Sequence, residues 1–359
     1  MRLHIHEAAK RLGTTPRAIR FYEDKGLLSP QKSPNGYRTY DDRDLLALRW
    51  IVSLRGIGLP VSAVKELARG IEPGDCELQS GSGPLEKLEE TRQDVYREWS
   101  KLSRALTALD ELLAAGNARG RLPLHSVEEA AQRLRDSAAL VDEWQDPMDF
   151  GSLAEKYKER AVTEALRPFI DEADYARTHE TIVQWLDPRS GEHGCEAGAG
   201  TGRLTAMLAA AGAAMTAVEQ SPAMLRHFRE RLPNIEAVHG NVLALPFQRP
   251  RFHFAACAFA LHSLDRRRQR QALDEIDRVL LPGGRLCLAG VTLPASGPRS
   301  RGADKPACGG PSGISPESAF HDVDLGELEL RLSELGYQPV RPDAGPGAWI
   351  LYAVKREAT

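Results

Sequence analysis

Glu196, Gly198, Gly200 and Gly202 stand together in residues 193–202, and a second acid, Glu219, closes the strand-like run 215–219. Glycines so placed let a backbone turn sharply out of a strand and approach a ligand closely. An acid at the end of the next strand can accept hydrogen bonds from two ribose hydroxyls. That is the chemistry of a nucleotide-like cofactor site. A different chemistry opens the chain. Arg17 and Arg20 lie three apart in residues 16–25, a helix announced by the cap Thr15 and by Pro16 in its first turn, and stopped by Gly26. Guanidinium groups on one helical face, with Tyr22 nearby, suit phosphate and base-edge contact, although a solvated helix face has the same composition.

Positioning two such sites takes more than one core. A chain of 359 residues with 42% hydrophobic content predicts two domains and a connector. It has no run of eighteen uninterrupted apolar residues, and its first residues lack the apolar stretch of a signal peptide, so a cytoplasmic protein without membrane contact is expected. Its five cysteines form no close pair, which argues against a zinc ribbon, a redox pair or a disulfide framework; no metal site is expected. Cys195, Cys257 and Cys287 fall in strand-like segments and read as small buried apolar residues. The net charge of −3 conceals a polarity: residues 1–70 carry +6 and the remainder −9. A basic first domain on an acidic body suggests that only the first meets a polyanion.

Residues 7–12 read as a short helix joined through Gly13 and Thr14 to the helix 16–25, in helix-turn-helix proportions. The run Ala18-Ile-Arg-Phe-Tyr-Glu-Asp-Lys-Gly-Leu-Leu-Ser-Pro30, then Asn35-Gly-Tyr-Arg-Thr-Tyr40, then Asp44-Leu-Leu, resembles the winged-helix domain of the mercury-resistance-regulator (MerR) family over residues 3–69. That likeness implies that Arg17, Arg20 and Tyr22 contact DNA from a recognition helix. It also implies that Arg38 belongs to the wing and that residues 41–54 and 61–69 form a second helical pair.

From Leu88 the positions Arg92, Val95, Trp99, Leu102, Leu106, Leu109 and Leu113 alternate spacings of three and four, a coiled-coil seam on an otherwise charged helix spanning 84–114. A seam this narrow calls for a second chain, with packing against the chain's own C-terminal domain as the alternative. Homodimerisation, in antiparallel fashion, is also what the family resemblance implies; two readers would then address a two-fold-related operator. Metal-sensing members use cysteines around this helix, and here Cys76 stands by itself.

Residues 115–123 read as a linker, followed by helices over 126–145 and 171–186. Beyond His193 strand and helix patterns alternate, predicting a doubly wound parallel sheet. The segment Glu196-Ala-Gly-Ala-Gly-Thr-Gly202, with Glu219, Asn241-Val-Leu-Ala-Leu-Pro-Phe247, residues 254–265 and Val279-Leu-Leu-Pro-Gly-Gly-Arg-Leu286, resembles class I S-adenosylmethionine-dependent methyltransferases over residues 150–355. The likeness implies S-adenosyl-L-methionine as cofactor. Glu196, Gly198, Gly200 and Gly202 would surround its amino-acid and ribose portion, Glu219 would hold the ribose hydroxyls and Asn241 would face the adenine. The sequence departs from the pattern in three places: His193, Gly194 and Cys195 occupy a strand normally built of large aliphatics, Asn241 replaces the usual Asp, and His253 stands where an Asp often begins the fourth strand.

Methyl transfer needs an acceptor held in line and water excluded, with a base where the acceptor carries a proton. His262 is the candidate base, against the alternative of a histidine hydrogen-bonded at the pocket rim. Tyr157 and Tyr175 read as packing residues on helices that could cover the pocket. Residues 294–316, rich in Gly, Pro and Ser, read as a lid or an insertion.

The expected organisation is a winged-helix reader (1–70), a dimerisation helix (71–115), a linker with a connecting helix (116–149) and a Rossmann-like methyltransferase domain (150–359). The expected function is transcription regulation coupled to methylation of a small molecule. The expected partners are double-stranded promoter DNA, a second copy of the chain, the small molecule and, by family likeness, RNA polymerase. Two alternatives stand beside it: a sensor domain without turnover, and an enzyme whose reader serves only autoregulation.

Overall fold

The protein was analysed as a computed structural model, which describes residues 2–33, 35–68, 82–293, 320–345 and 347–356. Cys76, Cys308 and the expected lid at 294–316 lie outside the described residues. The chain divides into two compact units, Met1–Val95 and Tyr96–Thr359.

In the first unit helix α1 (Ile5–Arg11) and α2 (Pro16–Asp24) are followed by the short antiparallel pair β1 (Gln31–Lys32) and β2 (Arg38–Thr39), then α3 (Asp42–Gly56) and α4 (Val61–Ala68). Local chemistry sets the starts. The Thr15 hydroxyl accepts from the Ala18 amide at 3.1 Å, and the Asp41 carboxylate accepts from the amides of Arg43 and Asp44. Ile19, Tyr22, Leu48, Ile51 and Val64 meet in one core. Ile19 and Tyr22, three apart, share the inward face of α2, while Arg17 and Arg20 stay exposed.

Helix α5 (Ser82–Arg119) is longer than the seam alone predicts, running through most of the segment read as a linker. Alanines and Arg119 propagate the helix past Gly116 and Asn117, and Gly120, at φ 64°, supplies the left-handed stop. It is followed by α6 (Leu124–Asp142), α7 (Phe150–Tyr157), a 3₁₀ turn (Lys158–Arg160), α8 (Ala161–Leu166) and α9 (Glu172–Leu186).

The sheet begins at β3 (His193–Ala197) and continues through α10 (Arg203–Ala210), β4 (Ala214–Glu219), α11 (Pro222–Arg231), β5 (Glu236–His239), β6 (Phe252–Ala258), α12 (Arg266–Val279) and β7 (Leu280–Val291). Helix α13 (Leu325–Glu334), β8 (Tyr337–Val340) and β9 (Ala348–Lys355) complete it. The strand order is β5-β4-β3-β6-β7-β9-β8. Strands β3 to β7 are parallel, as expected, but β9 runs antiparallel to β7 and β8 antiparallel to β9. Pro339 sits in the edge strand β8, where a missing ladder donor is tolerated.

Side chains alternate between two cores, one on each face. Ala256, Ala258, Cys287 and Ile350 pack with α7 to α11; Ala255, Cys257, Leu286 and Leu351 pack with α12 and α13. Phe252 and Phe254, two apart, nonetheless face opposite cores, because the β6–β7 register shifts between them. His253 sits at that shift, and its Nδ1 lies 3.0 Å from the His193 amide nitrogen, so this departure from the family pattern ties the starts of β3 and β6 together. Cys195, Cys257 and Cys287 are buried, and burial raises all three thiols.

Candidate functional site

An open cleft of about 940 Å³, including its mouth, lies over the carboxyl ends of the central strands, where open α/β sheets bind ligands. Strand order fixes the sequence of groups across it: Asn241 beyond β5, Glu219 ending β4, Glu196 and the glycine turn on β3, and Phe259 beyond β6.

The glycine turn is held in place by its own backbone. The Gly198 and Ala199 amides both donate to the Val218 carbonyl, at 2.8 and 3.0 Å. Gly200, at φ 55°, leaves open a space where a Cβ would come within 3.2 Å of Val162, and its amide donates to Glu219 Oε2 at 2.8 Å. Glu219 Oε1 accepts from the Ser221 amide at 2.7 Å, so both carboxylate oxygens are oriented by backbone donors. Burial nevertheless raises its pKa.

Glu196 is 3% exposed and accepts a hydrogen bond from the Thr205 hydroxyl. Burial pushes its carboxyl up to about 8, with the nearby Glu219 adding to the effect. A buried acid in that range favours a cationic group beside it. Asn241 is spanned on both sides: its Nδ2 donates to Gln220 at 3.0 Å and its Oδ1 accepts from the Leu243 amide at 2.8 Å. The amide thus shapes the loop 240–247, and further hydrogen bonding to a ligand is left to its second N–H and to the second lone pair of its oxygen. A narrow glycine turn, an oriented carboxylate and a buried acid suited to a cation fit the sulfonium nucleoside that the sequence leads one to expect.

Glu196, Gly198, Gly200, Glu219 and Asn241 all line the cleft. Gly202 caps α10 at φ 85°, with Phe228 where its Cβ would be. His262 is placed differently. It lies in a 3₁₀ turn with its ring centroid 4.1 Å from that of Phe320, its two nitrogens are buried without partners, and burial lowers its pKa to about 3. Its neighbours Ala260, Ser263 and Leu264 line the cleft and His262 does not. The imidazole that does is His179 on α9, which sequence reasoning missed. The available signal was its spacing of four from Tyr175, which puts both rings on one helical face; Tyr175 lines the cleft as well.

In the first unit Arg17, Arg20 and Arg38 are exposed, and Arg38 pairs with Glu23 at 2.7 Å. Tyr22 is 8% exposed and belongs to the core, so the structure does not bring it onto the surface that the arginines share.

Comparison with known proteins follows the same division. Residues 3–71 match the MerR HTH family regulatory protein model, and residues 195–284 match a methyltransferase domain model. The HTH-type transcriptional regulator HmrR of Rhizobium leguminosarum bv. viciae is 31% identical over 125 residues, which are 34% of this chain and 94% of that one. A demethylmenaquinone methyltransferase of Clavibacter sepedonicus is 37% identical over 110 residues, covering 30% of this chain and 44% of that enzyme. A solved SAM-dependent methyltransferase from Aquifex aeolicus superposes with a TM-score of 0.42 at 17% identity, over 57% of this chain and 98% of that one. Among the described residues no helix is long and apolar enough to cross a membrane. With a reader of this sequence in front and a methyltransferase domain behind it, the chain belongs to the MerR family of HTH regulatory proteins.

Proposed function

We propose that this protein is a cytoplasmic, dimeric transcription regulator whose second unit holds S-adenosylmethionine, methylates a small molecule and reports the state of that site to a promoter. One observation carries the coupling. The Leu243 carbonyl, in the loop that Asn241 brings to the cleft, accepts from Arg104 of α5 at 3.1 Å and from Gln271 of α12 at 3.0 Å. Arg104 also reaches Glu275 at 3.0 Å, and Glu275 in turn accepts from the Leu245 amide at 2.9 Å. The cofactor loop is therefore hydrogen-bonded to the very helix that bears the apolar seam.

On α5 the seam residues Leu102, Leu106, Leu109 and Leu113 are exposed, and Leu102 reaches 65%. Ser100 and Arg104 lie on the opposite side of the helix at 100° per residue. The seam is thus free of the chain's own C-terminal unit, which supports a second copy as its partner. Trp99 is the exception, with the Arg278 guanidinium 5.0 Å above its ring.

In this reading Gly198 and Gly200 let the backbone approach the cofactor, Gly202 lets α10 pack closely on Phe228 behind the turn, Glu196 faces the cofactor's ammonium group, Glu219 accepts from its ribose hydroxyls and Asn241 borders its base. When bound, S-adenosylmethionine supplies a methyl group already activated on a sulfonium. The protein orients the acceptor and excludes water. Arg17, Arg20 and Arg38 meet promoter DNA, and RNA polymerase is engaged through the promoter in the manner that family likeness implies.

Radiolabelled methyl transfer to candidate metabolites, set beside calorimetric cofactor binding and promoter-reporter expression, tests the whole. Binding and transfer, with a promoter response that disappears in Gly200→Val, is the expected outcome. Binding without transfer would make the domain a sensor, and a response that persists in Gly200→Val would make it a passenger enzyme.

A further inference from the structure

The β6 side of the cleft has a chemistry of its own. Phe259 leaves β6 in the left-handed region at φ 56°, a conformation that a bulky residue adopts only under constraint from its surroundings. Its ring lies 4.7 Å from that of Tyr175 and 5.6 Å from that of His179, and the last two are 4.4 Å apart edge to face.

His179 is out of keeping with its aromatic neighbours. It is 2% exposed, lines the cleft, and its Nδ1 is buried with no hydrogen-bond partner. A polar atom buried without a partner costs more than an apolar replacement of the same shape, so the position calls for an explanation. Burial, then the nearby Arg203, lowers the imidazole to about 3 and keeps it neutral. A neutral imidazole has one donor and one acceptor nitrogen, and a hydroxyl, which both donates and accepts, satisfies either tautomer. An anionic ligand would meet the acceptor oxygens of Glu196 and Glu219 in the same cleft, while Arg203, whose guanidinium lies 5.1 Å from the Tyr175 ring centroid, is engaged by Glu172.

We infer that the β6 end of the cleft binds a flat, uncharged aromatic hydroxyl compound, with its ring against Phe259 and Tyr175 and its hydroxyl on His179 Nδ1. The inference rests on the methyltransferase reading above and names the acceptor class for it. His179 is the specificity-determining contact, and it sits on the far side of the glycine turn from Glu219.

The test is calorimetric titration of the full-length protein loaded with S-adenosylhomocysteine, using 2-naphthol as the probe and 2-methoxynaphthalene as the matching ether. The wild-type protein should prefer the naphthol by about tenfold, the scale of one buried hydrogen bond. His179→Leu should lose that preference, and His179→Gln should recover part of it. The Tm of His179→Leu should equal or exceed that of the wild type, since an unpartnered buried nitrogen is removed. Failure of the loaded wild type to bind 2-naphthol, equal binding of naphthol and ether, or equal naphthol affinity in His179→Leu would overturn the inference. The naphthol-against-ether comparison on the wild type decides the matter even if the leucine variant does not fold. Failure of S-adenosylhomocysteine to bind would instead overturn the methyltransferase reading on which it stands.

Discussion

Glu196 and Glu219 are two carboxyls in one cleft, and their settings separate them. Glu219 is fixed by two backbone amides, whereas Glu196 has a hydroxyl partner and a carboxyl pushed up to about 8. The folded protein therefore binds more protons at Glu196 than the unfolded chain between its ordinary 4.5 and about 8, and the stability of the ligand-free protein falls as pH rises through that window. Glu196→Gln should flatten thermal melts between pH 7 and 8, where the lowered histidines are already neutral in the folded state. S-adenosylmethionine affinity in the wild type should rise over the same interval as the acid ionises beside the ligand's cation, and should not do so in the variant. Gly200→Val should abolish cofactor binding, since the new side chain meets Val162 at a left-handed position. Glu219→Ala should weaken binding by about 2 kcal/mol through lost charge-assisted bonds. Wild-type-like cofactor affinity in both, by calorimetry, would place the cofactor elsewhere. That Gly198, Gly200 and the two acids share one cleft was legible, because a sharp turn out of a strand demands glycine and the acids stand near the carboxyl ends of neighbouring strands. His179 was not, since nothing in its own helix says that α9 will cover the carboxyl end of β6.

At the scale of elements, α2 and α5 make the sharpest expectations. Arg20→Ala should weaken operator binding and lower the salt slope by about one counterion, leaving cofactor affinity unchanged; an unaltered salt dependence would remove Arg20 from the interface. Leu102→Asp or Leu106→Asp should convert the dimer to monomer, because a charge buried in the seam lacks a partner, at a cost of roughly several kcal/mol. Sedimentation showing an intact dimer would locate the interface on another surface. Most helices and strands could be read ahead of the structure because caps, prolines and alternation are local signals; α2 begins at the expected Pro16 and ends within a residue of Lys25. The misses have non-local causes. The helices α7 and α8 are short and owe their helicity to packing on α11 and on one another, Pro339 masked β8, and the direction of β8 and β9 depends on which edge the chain returns to. Tyr22 is the local exception: set beside Arg17 and Arg20 from the helix and given DNA contact by likeness, it stands three residues from Ile19, a spacing that points inward.

Over the whole molecule the question is whether an event in the cleft reaches the reader, and coupling requires a ligand to favour one conformation over another. Arg104→Ala tests the connection without touching the cleft lining. Leu243 keeps Gln271 and Glu275 keeps Arg278 and the Leu245 amide, so fold and cofactor binding should survive. The promoter response to the methyl acceptor should fall by the five- to 150-fold range typical of a coupling of about 1–3 kcal/mol. Reporter expression with unchanged response would move the connection away from this contact. Within the second unit, helix α5 presents the leucine seam to solvent and Ser100 and Arg104 to Glu275, from opposite sides of one axis. Its length is therefore constrained like the thread of a screw. One residue inserted between Arg104 and Leu106 turns the seam beyond it by about 100° relative to Arg104, whereas seven return it to within about 20°, so viable length variants of this stretch should come in whole heptads.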